Sequence, residues 1–208
     1  VRAASQEVLQ FWFGSRPYTR DSVLRHARLW FPEVAAPELL PQAAELIRER
    51  FGATMRAAQD GALAAWESSP RRRLALILLL DQFPRHVHRG GAAAYAHDHA
   101  ALALALSGMQ FGADAALHPI ERLFFYTPLM HAEAIEVQEE SAAAFRRLRT
   151  ETPVELADVL ERGFEQALLH HELVRRFGRF PDRNALLGRP STGQELAWLA
   201  GEGAHLAR

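Results

Sequence analysis

Apolar residues recur along this chain at steps of three and four, the spacing that gathers them on one face of an α-helix. Residues 42–59 show it most plainly: Leu46, Ile47, Phe51 and Met55 fall at helical spacing, and Gly61 supplies the stop. The punctuation between such stripes predicts the other helices. Ser5 is placed to cap a first helix over residues 6–13, ended by Gly14, and Asp21 a short second helix ending near Pro32. Ser69-Pro70 joins a cap to a proline at the first helical position and opens a helix to about Gln82, which Pro84 interrupts. Gly90-Gly91 turns the chain into a helix over residues 92–107, and Pro119 opens the next. Thr127-Pro128 either kinks that helix or starts a new one reaching about Arg149. Thr152 with Glu155 and Thr192 with Glu195 have capping-box spacing. The first box opens a helix to Phe177, stopped by Gly178, and the second opens a last helix carrying Leu196, Trp198 and Leu199.

Strand patterns, with alternating β-branched residues between hairpin turns, are nearly absent. Short connections make successive helices antiparallel neighbours. The expected fold is therefore all-α, a stack of antiparallel helical hairpins in one domain over residues 1–208. No clean repeat is found, and the tetratricopeptide signature at a period of about 34 residues is missing. Trp12, Trp30, Trp66 and Trp198 are read as core anchors.

Composition narrows the chemistry. A 49% hydrophobic, 24% charged chain is an ordinary globular protein and not a disordered one. A net charge of −1 gives no basic footprint for nucleic acid. All 24 basic residues are Arg, which excludes a lysine Schiff base and a P-loop. Without Cys there is no thiol nucleophile, disulfide or cysteine zinc site. The longest aliphatic run, residues 74–80, is too short to cross a bilayer, and no basic region leads into a long apolar stretch. A cytoplasmic location with no membrane partner is expected.

Three segments set polar residues among apolar ones. In the first, Asp81 and Arg85 sit four apart around Pro84, directly after the aliphatic run; a carboxylate there needs a partner. They are either a helix-end ion pair or one wall of a pocket. The second runs from Pro119 to Gln138 and carries Glu121, Arg122, His131 and Glu133. On one helix His131 and Glu133 would point about 200° apart, unlike the two histidines of a His-Glu-x-x-His zinc site. The third holds Arg175, Arg176, Arg179, Arg183 and Arg189 with Asp182 and Asn184 in a Gly- and Pro-punctuated loop. Such arginines bind carboxylate or phosphate in bidentate fashion. Equally, they can pair with the acidic run Glu133, Glu136, Glu139 and Glu140 and lock helices in register. The histidine pairs His97/His99, His86/His88 and His170/His171 lack metal spacing and read as surface or capping residues. No nucleophile elbow and no dinucleotide fingerprint occurs. No metal and no cofactor is expected.

Taken together, these segments carry a resemblance over nearly the whole chain. Phe11-Trp12-Phe13-Gly14, Trp30-Phe31, residues 74–85, Glu121 to Tyr126, His131, Glu133, Gln138, Arg176 to Pro181, Arg183-Asn184, Leu187-Gly188-Arg189 and Ser191-Thr192 form a very specific series. The sequence resembles the bacterial family of domain of unknown function number 924. That resemblance implies a fold similar to tetratricopeptide-like helical hairpins and brings no activity with it. The chain departs from the pattern at His86, where Asn is usual, at His88, usually aromatic, and at Gly91, usually Thr.

Two functions fit. One is a tetratricopeptide-like binding module for a peptide, a protein or a small anionic ligand, with Arg85, Arg122, Arg176, Arg179 and Arg183 along a groove that also holds Asp81, Gln138 and Asn184. The other is an enzyme acting on a small anionic metabolite, with Glu121, His131 or Glu133 as the acid–base group. Convergence in one pocket favours the second, an open groove favours the first, and mutual pairing in a filled interior supports neither and makes the network structural.

Overall fold

The computed structural model describes residues 3–30, 40–201 and 203, so Phe31 and Pro32 lie outside the described residues. Among the described residues all regular structure is helical, and no helix is long and apolar enough to cross a membrane. The helices are α1 (Ser5–Phe13), α2 (Arg20–Trp30), α3 (Leu40–Gln59), α4 (Pro70–Ile77), α5 (Phe83–Val87), α6 (Asp98–Gln110), α7 (Pro119–Met130), α8 (Ile135–Glu151), α9 (Ala157–Phe177) and α10 (Gly193–Ala200).

Several helix ends differ from the sequence expectation. Ser5 lies inside α1, whose cap is Ala4 with Glu7 reaching back to its backbone N–H. Thr19, not Asp21, caps α2 by accepting from the Ser22 N–H. Thr152 turns its hydroxyl back to the Leu148 carbonyl, so a short 3₁₀ turn, Val154–Leu156, precedes α9. The segment after Gly91 is first a 3₁₀ turn, Ala92–Ala94, and α6 begins only at Asp98. The capping box of Thr192 and Glu195 forms as expected.

Two prolines behave differently from breakers. Pro128 does not end α7, which runs on to Met130. Proline removes the donor that the Phe124 carbonyl would otherwise meet. The Thr127 hydroxyl replaces it, donating to that carbonyl at 2.9 Å. At Pro84 the chain stays helical by widening. Residues Leu78–Gln82 form a π-helical turn between α4 and α5, closed by the Phe83 N–H on the Leu78 carbonyl. The wider turn removes the demand for the bond that Pro84 cannot make to the turn before it.

Packing is partly sequential and partly not. Helices α7, α8 and α9 follow one another side by side, while α1 packs on α4 and α3 on α5. The core is centred on aromatic rings: Trp12 meets Phe83 and Phe124 at centroid distances of 5.6 and 5.4 Å, and Trp30 meets Phe124 at 4.9 Å. The Trp30 indole N–H donates to the Trp12 carbonyl, tying α2 to α1. Trp198 anchors a second, smaller cluster with Leu173, Val174 and Phe180, which seats α10 and the preceding loop against α9. Trp66 is only partly buried, and Leu46 faces outward from α3.

Candidate acid–base site

Asp81 sits in the π-helical turn and is fully buried. Its Oδ1 lies 2.6 Å from His131 Nδ1, at the end of α7, and 3.0 Å from the Arg85 guanidinium. Its Oδ2 accepts from the Gln82 amide at 2.5 Å and the Thr127 hydroxyl at 3.3 Å. Arg85 turns its fork to Asp98, the first residue of α6, with two bonds of 2.8 Å. Arg183, from the loop after α9, donates to the His131 carbonyl at 3.0 Å and lies 3.5 Å from Asp98. The Arg183 guanidinium rests over Phe180 at 4.3 Å and over Tyr95 at 4.8 Å. Four separate stretches of chain thus converge around Asp81 and His131.

The electrostatics follow from burial and pairing. Burial alone would raise the Asp81 carboxyl, but Arg85, His131 and Gln82 outweigh it and hold it below the ordinary carboxylate value. Burial pushes His131 below the ordinary histidine value, Arg85 adds to this, and Asp81 opposes it without reversing it. With the proton of the neutral ring on Nδ1, facing the carboxylate, Nε2 carries the lone pair. Two carboxylates, Asp81 and Asp98, balance two guanidiniums, Arg85 and Arg183.

The other candidates lie elsewhere. Glu121 is ten positions before His131 at the opposite end of α7, roughly 15 Å along the axis. It is fully buried, capping its own helix through the His118 N–H at 3.2 Å, and binds Tyr18 at 2.8 Å, Arg71 at 3.1 Å and Arg16. Arg122, at that same end, pairs with Glu151 at 2.5 Å and bonds the Tyr126 hydroxyl. Glu133 receives two bonds from Arg189, at 2.5 and 2.9 Å, and one from the Phe180 N–H at 2.8 Å. Asn184 bridges Arg189 and Ser191, and Arg179 grips Glu195 with two bonds. Gln138 donates to the Met130 and Ala132 carbonyls, closing the end of α7. Arg176 is exposed and stacks over Phe177. A cleft of about 340 Å³ is lined by Arg176 and Arg179 together with Glu195, the acidic partner of Arg179. A cleft of about 440 Å³ between α3, α4 and α6 is mainly Leu and Ala and includes none of the His131 cluster. Among the described residues no three His, Asp or Glu side chains are placed to hold a metal ion.

The chain matches a family of bacterial proteins of unknown function, DUF924, over residues 8–203. It belongs to that family. A solved structure of the protein of unknown function ATU0120 from Agrobacterium tumefaciens is similar to it, at 32% identity and a TM-score of 0.74, covering 94% of this chain and 96% of the other. No curated protein matches the chain.

In this DUF924 protein three members of the cluster escaped sequence reasoning. Asp98 and Tyr95 fall in a stretch expected to be mid-helix, whereas the late start of α6 turns Asp98 toward Arg85. His170, on α9, brings its ring to 6.2 Å from that of His131, although its neighbours suggest only a surface position. Arg189, not Arg183, is the partner of Glu133, a distinction that loop spacing alone does not carry.

Proposed function

We propose that this protein is an enzyme acting on a small anionic metabolite, with His131 as its general base. One observation carries the reading: the imidazole of His131 is oriented by a fully buried carboxylate through Nδ1 while the ring keeps a solvent-reaching edge. A carboxylate behind a histidine fixes its tautomer and stabilises the imidazolium that forms when Nε2 takes a proton. Arg183, held flat by Tyr95 and Phe180, supplies donors for an anionic group, while Arg85 stays committed to Asp81 and Asp98. The binding-module alternative draws less support, because the arginines expected along one groove are divided among Asp81 and Asp98, Glu151, and Glu195.

The test is a thermal-shift screen of small carboxylates and phosphate esters, on the wild type and on His131→Gln and Arg183→Gln. A ligand at about a hundred times its Kd adds about 2.7 kcal/mol to the native state, several degrees in melting temperature. At least one such anion raises the wild-type melting temperature, and the rise is lost in Arg183→Gln. A panel without any shift, or shifts that survive in Arg183→Gln, refutes the assignment.

A further inference from the structure

His170 is a chargeable group against His131 that the acid–base reading leaves idle. The two rings are 6.2 Å apart, centroid to centroid, at 58° to one another. His170 Nδ1 lies 2.8 Å from the carbonyl of Gln166, one turn back on α9. A carbonyl only accepts, so in the neutral ring the proton sits on Nδ1 and the lone pair on Nε2. His131 is built the same way, with Asp81 as its acceptor. Two helices thus each present an imidazole whose Nδ1 proton is committed and whose Nε2 is unoccupied by any described residue, and neither Nε2 is sealed from water.

The surroundings keep both rings unprotonated. Burial dominates for each; His131, Arg183 and Arg85 then press on His170, pushing it down to about 3. Around His131 the Asp81 and Asp98 carboxylates act in the opposite sense and do not overcome burial and Arg85. Two neutral acceptors on rings 6.2 Å apart, centroid to centroid, can share a partner with two hydrogens on one atom. Water is such a partner, with each O–H reaching a nitrogen at about 2.8 Å and its own lone pairs left free. A divalent cation would also use the Nε2 lone pairs, but it would face two guanidiniums and find no third ligand among the described residues.

We propose that His131 and His170 together hold and activate one water molecule, making this a hydrolytic site for a small ester or amide that bears an anionic group. The proposal rests on the acid–base reading of His131 above. The water oxygen bonds to the acyl carbon while the carbonyl π pair moves onto its oxygen. The water proton passes to His131 Nε2, and Asp81 stabilises the resulting imidazolium. On collapse the carbonyl re-forms, the bond to the leaving group breaks, and His131 returns the proton to that group. One water is consumed and an acid plus an alcohol or amine is released. His170 is a positioning residue that fixes the direction of attack. Arg183 shares the Phe180 ring with His170, at 4.3 and 5.1 Å, which puts an anion-binding fork beside the water.

The experiment uses the full chain with p-nitrophenyl hemisuccinate as probe and neutral p-nitrophenyl acetate as its control. Wild type hydrolyses the hemisuccinate with a kcat/KM at least about tenfold above that for the acetate, and His131→Gln abolishes the difference. His170→Gln lowers kcat at least about tenfold and leaves KM within about twofold. The midpoint of the acidic limb of the wild-type rate falls below the ordinary histidine value of 6.5, a readout that needs no variant to fold. An unchanged kcat in His170→Gln, or a midpoint at or above 6.5, overturns the water-holding pair. If neither ester is hydrolysed while succinate still raises the melting temperature through Arg183, hydrolysis is refuted and the acid–base site survives. If His131→Gln hydrolyses the hemisuccinate as fast as wild type, both fall.

Discussion

His131 Nδ1 meets Asp81 Oδ1 at 2.6 Å across fifty residues of chain. The aspartate is sealed inside the helical core, and the histidine closes over it with one ring edge outward. The pair joins the end of α7 to the π-helical turn.

Asp81→Asn keeps the shape and removes the charge facing Arg85 and His131. Removing one partner from a buried pair costs about 3–5 kcal/mol. The expected result is a lower urea midpoint with an unchanged slope. A loss under about 1 kcal/mol would mean that the remaining partners rearrange to replace the carboxylate.

Stability falls as the solution is acidified below the ordinary histidine value of 6.5. His131 and His170 have folded-state values below it, so in that window the unfolded chain binds more protons than the folded one. For His170 the loss continues to about 3. Burial raises Asp182 above 3.8, which works in the opposite direction at the lower end of the range, and Asp81, held low, loses its contribution only below 3.8. Urea midpoints at pH 7 and pH 5 should therefore differ less in His170→Gln than in wild type. Equal differences would assign the acid sensitivity to other groups.

Glu121→Gln is expected to destabilise the fold by about 3–5 kcal/mol, since it leaves four donors, from Tyr18, Arg16, Arg71 and the His118 N–H, around an uncharged amide at a fully buried site. The Nδ1–H resonance of His131, at the other end of α7, stays in place. Movement of that resonance in the folded variant would contradict the separation of the two polar clusters.

Gly163→Ala tests the contact between α9 and its neighbours. An added Cβ would stand 2.5 Å from Leu123 Cδ1 and 3.2 Å from the Phe145 ring. Overpacking of this kind costs about 1–3 kcal/mol, read as a lower melting temperature. A neutral substitution would show that α9 shifts freely on α7 and α8.

Helices were legible in the sequence because their signals are local: periodic apolar residues, glycine stops, and the box of Thr192 and Glu195. Asp81 and Arg85 also stood out locally, as charges attached to an aliphatic run. What local patterns do not carry is which end of a helix faces which neighbour. Pro128 reads as either a kink or the start of a new helix; α7 runs through it, with the Thr127 hydroxyl on the Phe124 carbonyl, and so holds Glu121 far from His131. His170 is hidden for the same reason: its approach to His131 depends on how α9 docks, and its neighbours in sequence, His171 and Glu172, say nothing of that. The loop arginines are chemically alike, so their sorting to Asp98, Glu133 and Glu195 is decided by tertiary geometry alone.

The widened turn at Leu78–Gln82 holds one residue more than an α-helical turn would. Shortening this stretch by a single position would return it to an ordinary α-helical turn, and the long bond from the Phe83 N–H to the Leu78 carbonyl that carries the helix past Pro84 would be lost. The residue count at this one spot is what lets a proline-bearing segment continue straight out of the aliphatic run with Asp81 inside the turn.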